Sequence, residues 1–416
     1  MSSSKTTSGL ICAFILTALV ACGSPAAAPV PHGFVAGATE AEEPQMRLSY
    51  LSTEAGSISI IDPLSGNETD TFTLPGAESM QHDGRFLFLR TTAGAGLNVI
   101  DTGVWAVDHG DHKHFYHSTA QQLQAKAPVP AGAVASDGHW VGIFDEQTGD
   151  TSVLNRKTLE TGVLTVETTL SGTPHTGLAI PYKGRMLVTG SPGKDKLPTT
   201  VAAFDLSAGQ STGTDTHGAA LEGNASGSLL PTACPALRGH ASTRHGVVLG
   251  CSDGILVIGE EEGSLTSTKI PYPENEPDEP ATSFNHRPGS SELTALAGTT
   301  GLWHVDVATL KLTFMPSPEP IVVASTAGNG SPALAMGQSG TLYALDPLTG
   351  LVENQSALLT QMKPGPPPAL VLDAGRAYLS DPASTLIHEI DYKDNLRVAR
   401  TFTTTEPLAQ LVETGL

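Results

Sequence analysis

GSISIIDPLSGNETDTFTL, which runs from Gly56 to Leu74, is the stretch of sequence that decides the fold. Two runs rich in β-branched and apolar residues flank the turn sequence DPLSG, and this arrangement is typical of an antiparallel hairpin. The theme returns as GTLYALDPLTGLVENQ from Gly340 and, with a changed turn, as TGLWHVDVATLKLTFM from Thr300. Recurrence at about 40 residues, with four strands in each period, predicts the blades of a β-propeller.

Counting these units predicts an all-β fold and a single β-propeller domain over residues 46–416. Seven units open near Gly76, Pro130, Gly172, Ala233, Pro280, Ile321 and Pro368. Residues 47–75 supply three strands of a further blade, and LAQLVET at residues 408–414 supplies its missing strand. Pairing of the N- and C-terminal strands would close the ring and remove an open sheet edge. We therefore predict eight four-stranded blades, with seven as the alternative if two weak units merge.

The amino terminus is predicted to be a lipoprotein-type signal peptide over residues 1–22. Lys5 precedes the apolar run LICAFILTALVA, and LVAC ends at Cys22, a pattern that resembles a bacterial lipobox with a lipidated cysteine. The alternative is cleavage near residues 26–28, which would release the protein. Residues 23–45 are rich in Ala, Pro, Gly and acid and are predicted to form a flexible tether. We expect an extracytoplasmic protein that is lipid-anchored to the bacterial cell membrane, at the surface or in the periplasm.

Charge excludes one class of partner. The chain has 42 acidic and 22 basic residues and a net charge of −20. Nucleic-acid binding needs a basic surface, so nucleic acid is not expected as a partner. We expect a monomer that meets the membrane only through the lipid anchor.

Two cysteines, Cys234 and Cys251, remain after the signal peptide and Cys22 are set aside. They flank a predicted hairpin, and if they oppose one another in an antiparallel ladder, its turn centres between Ser242 and Thr243. An extracytoplasmic compartment permits a disulfide between them. The alternative is a pair of buried free thiols.

A histidine-rich segment is the best indication of function. DHGDHKHFYH, residues 108–117, holds four of the chain's fourteen histidines and two aspartates. If residues 112–117 form the fourth strand of their blade, His112 and His114 share a face about 6.5 to 7 Å apart, while Lys113 and His117 face the other way. His109 and Asp111, on the preceding turn, would add a third and a fourth donor. Imidazole and carboxylate suit Zn²⁺, Cu²⁺ or Ni²⁺, and the alternative is an exposed histidine patch.

Outside this segment, His175 is the histidine most suited to metal binding. It opens the blade start TPHTG, which we expect at the mouth of the central channel, where it could meet the histidine loop. His240 lies on the cysteine hairpin, and taken alone a turn or core role suits it better. The chain has no nucleophile elbow, HExxH motif, phosphate loop or dinucleotide fingerprint, so we predict no enzymatic activity.

The chain resembles the AztD-type bacterial zinc metallochaperones, extracytoplasmic propellers that pass zinc to the solute-binding protein of a zinc ABC transporter. The matching pieces are HGFVAGATEAEEPQ, VDHGDHKHFYH, TPHTGLAI, the cysteine hairpin from CPAL to GCSDG, and GLWHVD. The resemblance implies bound Zn²⁺, transfer to such a solute-binding protein, and the zinc ligands His109, His112 and His114 with Asp111 or His117, joined by His175.

One departure from this family concerns the cysteine hairpin. Arg238 stands where the family is expected to place a histidine, and arginine cannot ligate zinc. Either His240 substitutes for it from the same strand face, or the site depends more on the histidine loop. Two other functions are alternatives: an extracytoplasmic propeller enzyme, lactonase-like or quinoprotein-like, and a protein-interaction scaffold that binds no metal.

Overall fold

The computed structural model describes residue 35 and residues 37–92, 96–109, 112–125, 129–206, 227–277, 279–360, 362 and 366–415. This part of the chain is all-β: its 37 strands are accompanied by a four-residue helix, α1 (Arg156–Leu159). No helix in it has the length and apolar character needed to cross a bilayer. The predicted signal peptide, its lipobox cysteine Cys22 and most of the predicted tether lie outside the described residues.

Within the described residues, thirty-two strands form eight four-stranded antiparallel sheets, numbered here in chain order. In hydrogen-bonded order, sheet 1 contains β37 (Gln410–Thr414), β2 (Arg47–Ser52), β3 (Ser57–Asp62) and β4 (Asn67–Thr73), and sheet 2 contains β5 (Ala77–His82), β6 (Phe86–Thr91), β7 (Leu97–Asp101) and β10 (Gln121–Gln122). Sheet 3 contains β12 (Ala133–Ser136), β13 (Trp140–Phe144), β14 (Thr151–Asn155) and β16 (Thr168–Leu170), and sheet 4 contains β17 (Ala179–Tyr182), β18 (Arg185–Gly190), β19 (Thr200–Asp205) and β20 (Ser228–Leu229).

The second half of the chain repeats this arrangement four times. Sheet 5 contains β21 (His240–Thr243), β22 (Gly246–Cys251), β23 (Gly254–Glu261) and β24 (Ser264–Ile270), and sheet 6 contains β25 (Ala281–Asn285), β26 (Glu292–Ala297), β27 (Gly301–Asp306) and β28 (Lys311–Pro316). Sheet 7 contains β29 (Ile321–Thr326), β30 (Ala333–Gly337), β31 (Thr341–Leu345) and β32 (Val352–Ala357), and sheet 8 contains β33 (Leu370–Leu372), β34 (Ala377–Asp381), β35 (Leu386–Asp391) and β36 (Arg397–Thr403).

The repeated turn between the third and fourth strands of a sheet has the hydrogen bonds that its aspartate and glycine predict. In sheet 1 the Asp62 carboxylate accepts a hydrogen bond from the backbone N–H of Leu64 at 3.0 Å. Gly66 closes the turn with a hydrogen bond to the Asp62 carbonyl and a φ of 76°, a conformation that glycine adopts without strain. Asp346 and Gly350 make the same two bonds in sheet 7. The turn ends a buried strand and begins one whose residues alternate in exposure.

Apolar clusters join each sheet to the next one along the chain. Ile58 of sheet 1 packs with Leu87 of sheet 2, for example, and similar clusters link every consecutive pair as far as sheets 7 and 8. An eighth cluster joins sheet 8 to sheet 1 and contains Tyr378, Leu48 and Leu411. Burial of apolar area is the main stabilising contribution for strands that are buried on both faces, and this packing between neighbouring sheets provides it.

The C-terminal strand β37 completes sheet 1 by pairing antiparallel with β2, so residues from the two ends of the described chain share one sheet. It carries an unusual group, Glu413, whose side chain is 2% exposed and whose two oxygens have no hydrogen-bond partner among the described residues. Burial, aided by the negative charge of Asp373, raises the pKa of Glu413 to about 8.

The structure contains the predicted disulfide between Cys234 and Cys251, with a Cα–Cα distance of 4.9 Å. The predicted hairpin register is wrong, however. Thr243 pairs with Gly246, so the turn lies at residues 244 and 245 and not between Ser242 and Thr243. Cys234 precedes strand β21, and the segment between them runs on beside β22, with hydrogen bonds from the Arg238 N–H to the Gly250 carbonyl and from the Ser252 N–H to the Pro235 carbonyl, which brings Cys234 next to Cys251.

Two small sheets lie outside this scheme. One pairs β11 (Gln124–Ala125) with β15 (Val163–Leu164) in parallel. The other has three strands, in the order β1 (Thr39–Ala41), β9 (Lys113–His117) and β8 (Val104–Asp108). The histidine segment was predicted to supply the fourth strand of its blade, and this is wrong: β10 takes that position, because residues 104–117 form a hairpin of their own. The tether prediction is also wrong at Thr39–Ala41, which form a strand on this hairpin.

Candidate metal centre

The histidine segment lies on the hairpin of β8 and β9. Val107 pairs with His114, and Asp108 pairs with Lys113, so the ladder extends to the turn. The turn is closed by a hydrogen bond of 2.9 Å from the His109 N–H to the His112 carbonyl. Because side chains alternate along a strand, His112 and His114 lie on one face, as predicted, and Lys113 and His117 lie on the other.

His109, His112 and His114 come together at the end of this hairpin. One ring nitrogen from each lies within 4.8 Å of one ring nitrogen of each of the others. The Nε2 atoms of His112 and His114 are 3.1 Å apart, and the His109 ring centroid lies 5.0 Å from that of His112 and 5.3 Å from that of His114. His109 and His112 are exposed and His114 is half-buried. Three imidazoles at this spacing, open to solvent, could hold a metal ion.

A carboxylate from a distant part of the chain contacts this cluster. Glu40 on strand β1 pairs with Tyr116 on β9, and its Oε1 atom lies 2.6 Å from Nδ1 of His114. The Glu40 charge also acts on the phenol of Tyr116, whose pKa is raised mainly by burial and further by this carboxylate. Sequence reasoning missed Glu40, since it lies about 70 residues before the cluster in a segment taken for a tether.

Stacked aromatic rings connect the cluster to the core of sheet 2. The ring of His114 stacks on Tyr116 at 6.4 Å, and Tyr116 stacks on Trp105 at 5.5 Å. The guanidinium of Arg85 lies 3.6 Å from the centre of the Trp105 ring. Arg85 is held in turn by two hydrogen bonds to the buried carboxylate of Asp101, at 2.9 and 2.7 Å. The hairpin is therefore anchored to the body of the protein on the histidine face.

His175 does not belong to the three-histidine group. It precedes strand β17 and is buried at 3% exposure, with its ring against Phe144. Its Nδ1 atom lies 2.7 Å from the carbonyl of Thr173 and its Nε2 atom 3.2 Å from the hydroxyl of Thr189. Its ring nitrogens thus both have partners within the protein, an environment typical of a structural histidine.

The cysteine hairpin contributes no member to the group either. His240 begins strand β21, opposite Leu249, and burial lowers its pKa to about 4. Arg238 is exposed, and its backbone N–H donates a hydrogen bond to the carbonyl of Gly250 at 2.8 Å. His117 pairs with Val104 on the far face of the hairpin. Asp111, the predicted carboxylate donor, lies outside the described residues.

The comparisons with known proteins point to one fold. No protein-family model matches the chain, and no curated protein matches it. Among solved structures, AztD from Citrobacter koseri superposes with a TM-score of 0.74 and 19% identity, over 90% of this chain and 99% of AztD. Its apo form gives 0.74 and 18%, over 90% and 98%. Dihydro-heme d1 dehydrogenase NirN in complex with DHE gives 0.55 and 12%, over 88% and 74%. The chain has an AztD-type fold.

Proposed function

We propose that this chain, with its AztD-type fold, is an extracytoplasmic zinc metallochaperone. It holds Zn²⁺ at His109, His112 and His114 and passes the ion to the solute-binding protein of a zinc ABC transporter. The observation that carries the proposal is the convergence of three imidazoles within 4.8 Å on one exposed turn. No enzymatic step is needed for this function.

The donor set favours zinc as the cargo. Neutral imidazole is a common zinc ligand, and zinc takes four ligands in a tetrahedron. Three histidines therefore leave a fourth position for another donor, such as Asp111, water or a side chain of the acceptor. Imidazole also binds Cu²⁺ and Ni²⁺, so the affinity for zinc has to be compared with the affinities for these two ions.

The position of the cluster suits transfer. His109 and His112 are exposed at the end of a hairpin, so an acceptor can approach the ion without unfolding the protein. Exchange would proceed by ligand substitution, in which the acceptor's histidines replace these imidazoles one at a time. Protons compete with the metal for the same nitrogens, so binding should weaken as the pH falls.

We also propose that the eight four-stranded sheets are the blades of one eight-bladed propeller formed by residues 46–416. The cluster that joins sheet 8 to sheet 1, together with the pairing of β37 and β2, supports a closed ring. The propeller would be a rigid, monomeric platform for the histidine hairpin. A lipid on Cys22 would keep it at the membrane, near the transporter it supplies.

Zinc titration of untagged protein, in competition with a chromophoric chelator, tests the binding step. We expect one zinc site with an affinity tighter than micromolar. The double variant His112→Ala/His114→Ala should weaken it by more than about 100-fold, since two of three donors are lost. His117→Ala, on the same strand but the opposite face, is the matched control and should bind as the unaltered protein does. Micromolar or weaker affinity, or a double variant with unchanged affinity, would overturn the proposal.

A second experiment tests transfer. The zinc-loaded protein is mixed with the zinc-free solute-binding protein of a zinc transporter, and zinc arrival is followed over time. Direct transfer predicts that the rate rises with acceptor concentration and exceeds the rate at which a chelator removes the ion. A rate independent of acceptor concentration would mean simple dissociation and would reject the chaperone role while leaving zinc binding intact.

A further inference from the structure

The N-terminal strand β1 contacts the histidine hairpin through a hydrogen bond between a carboxylate and an imidazole. Glu40 on β1 is bound to Nδ1 of His114 at 2.6 Å, on the edge of the ring away from His112. We propose that Glu40 is a positioning residue of the metal site, and that docking of β1 on β9 and metal binding strengthen one another. This inference rests on the proposed function.

The proton arrangement follows from the donors and acceptors present. An ionised carboxylate can only accept a hydrogen bond, so Nδ1 of His114 carries the hydrogen in the Glu40 pair. The Nε2 atom of His114 is then the nitrogen with a lone pair, and it lies 3.1 Å from Nε2 of His112. Glu40 thus selects the tautomer and ring orientation that a metal shared with His112 requires. A carboxylate behind a ligating histidine commonly has this role.

The geometry also argues against Glu40 as a metal ligand itself. Its carboxylate oxygen contacts Nδ1 of His114, whereas Nε2, on the far edge of the ring, faces His112. The group of converging donor atoms contains the three histidines and not this carboxylate. Glu40 therefore acts through His114, and its loss should weaken the site and not abolish it.

Strand β1 is held weakly enough for this contact to matter. It has three residues, Thr39 to Ala41, of which the first two are exposed, and among the described strands it pairs with β9 alone. Such a short edge strand gains little from burial. A metal that requires the orientation of His114 set by Glu40 would favour the docked strand, and the docked strand would favour the metal by the same factor. Displacement of β1 by a partner would then loosen the ion.

Affinity measurements on unaltered full-length protein and three variants test the positioning role. Glu40→Ala should weaken zinc binding by about 10- to 100-fold. Glu40→Gln, whose amide oxygen can still accept from Nδ1, should recover part of that loss. Glu42→Ala removes the same charge two residues further on, at an exposed position, and should bind zinc as the unaltered protein does. If Glu40→Ala and Glu42→Ala weaken zinc binding equally, the effect comes from net charge alone and the proposal is wrong.

Two spectroscopic readouts separate positioning from a general structural effect. Nitrogen-15 NMR of the metal-free protein should find His114 with its hydrogen on Nδ1, and a mixture of tautomers in Glu40→Ala. Hydrogen exchange at the amides of residues 39–41 should slow when zinc is added to the unaltered protein, but not when it is added to Glu40→Ala. Exchange unaffected by zinc in the unaltered protein would overturn the coupling.

The two proposals fail in different ways. If the His112→Ala/His114→Ala double variant binds zinc normally, the proposed function itself is wrong. If that variant loses zinc while Glu40→Ala keeps full affinity and the Nδ1 tautomer, the site is real and the inference about Glu40 is wrong.

Discussion

The buried carboxylate of Glu413 on the closing strand β37 should make the stability of this protein fall as the pH rises. Its pKa is about 8 in the folded protein, against an ordinary value of 4.5. Below pH 4.5 both the folded and the unfolded chain keep the proton, so the group has no effect. Between pH 4.5 and 8 the unfolded chain loses the proton first, and the free energy of unfolding decreases.

The size of this effect follows from the two pKa values. Each pH unit over which the folded chain alone keeps the proton costs about 1.4 kcal/mol. Between pH 4.5 and about 8 the loss amounts to about 5 kcal/mol. Above pH 8 the carboxylate ionises inside the protein or the strand opens, and the loss levels off. The cause is physical: a charge in that position is removed from bulk solvent and has no hydrogen-bond partner among the described residues.

Glu413→Gln tests this directly, because the amide occupies nearly the same volume and cannot ionise. Urea unfolding in the presence of a metal chelator, followed by tryptophan fluorescence at pH 5 and pH 8, gives the free energy of unfolding. Relative to the unaltered protein, the free energy of unfolding of the variant should increase by about 4 kcal/mol from pH 5 to pH 8. Glu54→Gln, at an exposed position, is the control and should track the unaltered protein. Parallel behaviour of Glu413→Gln and the unaltered protein would refute the burial argument.

Three further changes have defined outcomes in the same unfolding assay. Asp101→Asn should cost about 3 kcal/mol, because it leaves the buried guanidinium of Arg85 uncompensated, and adding Arg85→Met should recover part of that loss. Reduction of the Cys234–Cys251 bond, which closes a loop with a sequence separation of 17, should cost about 3 kcal/mol, and a Cys251→Ser variant should be insensitive to reductant. His240 has a pKa of about 4 when folded against 6.5 ordinarily, so the unfolded chain takes up its proton first as the pH falls. The contribution of His240 to stability should therefore drop by about 3 kcal/mol from pH 7 to 4, and His240→Gln should gain that amount relative to the unaltered protein over this range.

Much of the fold could be predicted from the sequence because its signals are local. The aspartate and glycine of the turn DPLSG make their hydrogen bonds within five residues of one another, and alternation along a strand needs no distant partner. Because these signals are local, the predicted blade starts near Gly76 and Ile321 lie at the first strands of sheets 2 and 7. The disulfide was also predictable, since two cysteines remained once the predicted signal peptide and Cys22 were set aside, although the register of their hairpin was not.

The candidate site was predictable only in part. His112 and His114 share a face because side chains alternate along any strand, whichever sheet the strand joins. The prediction of that sheet was wrong, because nothing in residues 104–117 reveals that they fold as a separate hairpin. His175 was selected for a blade-start position, yet its surroundings, Phe144 and Thr189, come from other strands and bury it.

The sequence by itself therefore determined the all-β repeat, the shared face of two histidines and the partner of each remaining cysteine. The tertiary structure alone decided that Glu40 reaches His114 and that Glu413 lies buried without a hydrogen-bond partner among the described residues. The physical reason is the range of the forces involved. Turn geometry and strand alternation arise between neighbours in the chain, whereas pairing across about 70 residues depends on which surfaces the completed fold brings together.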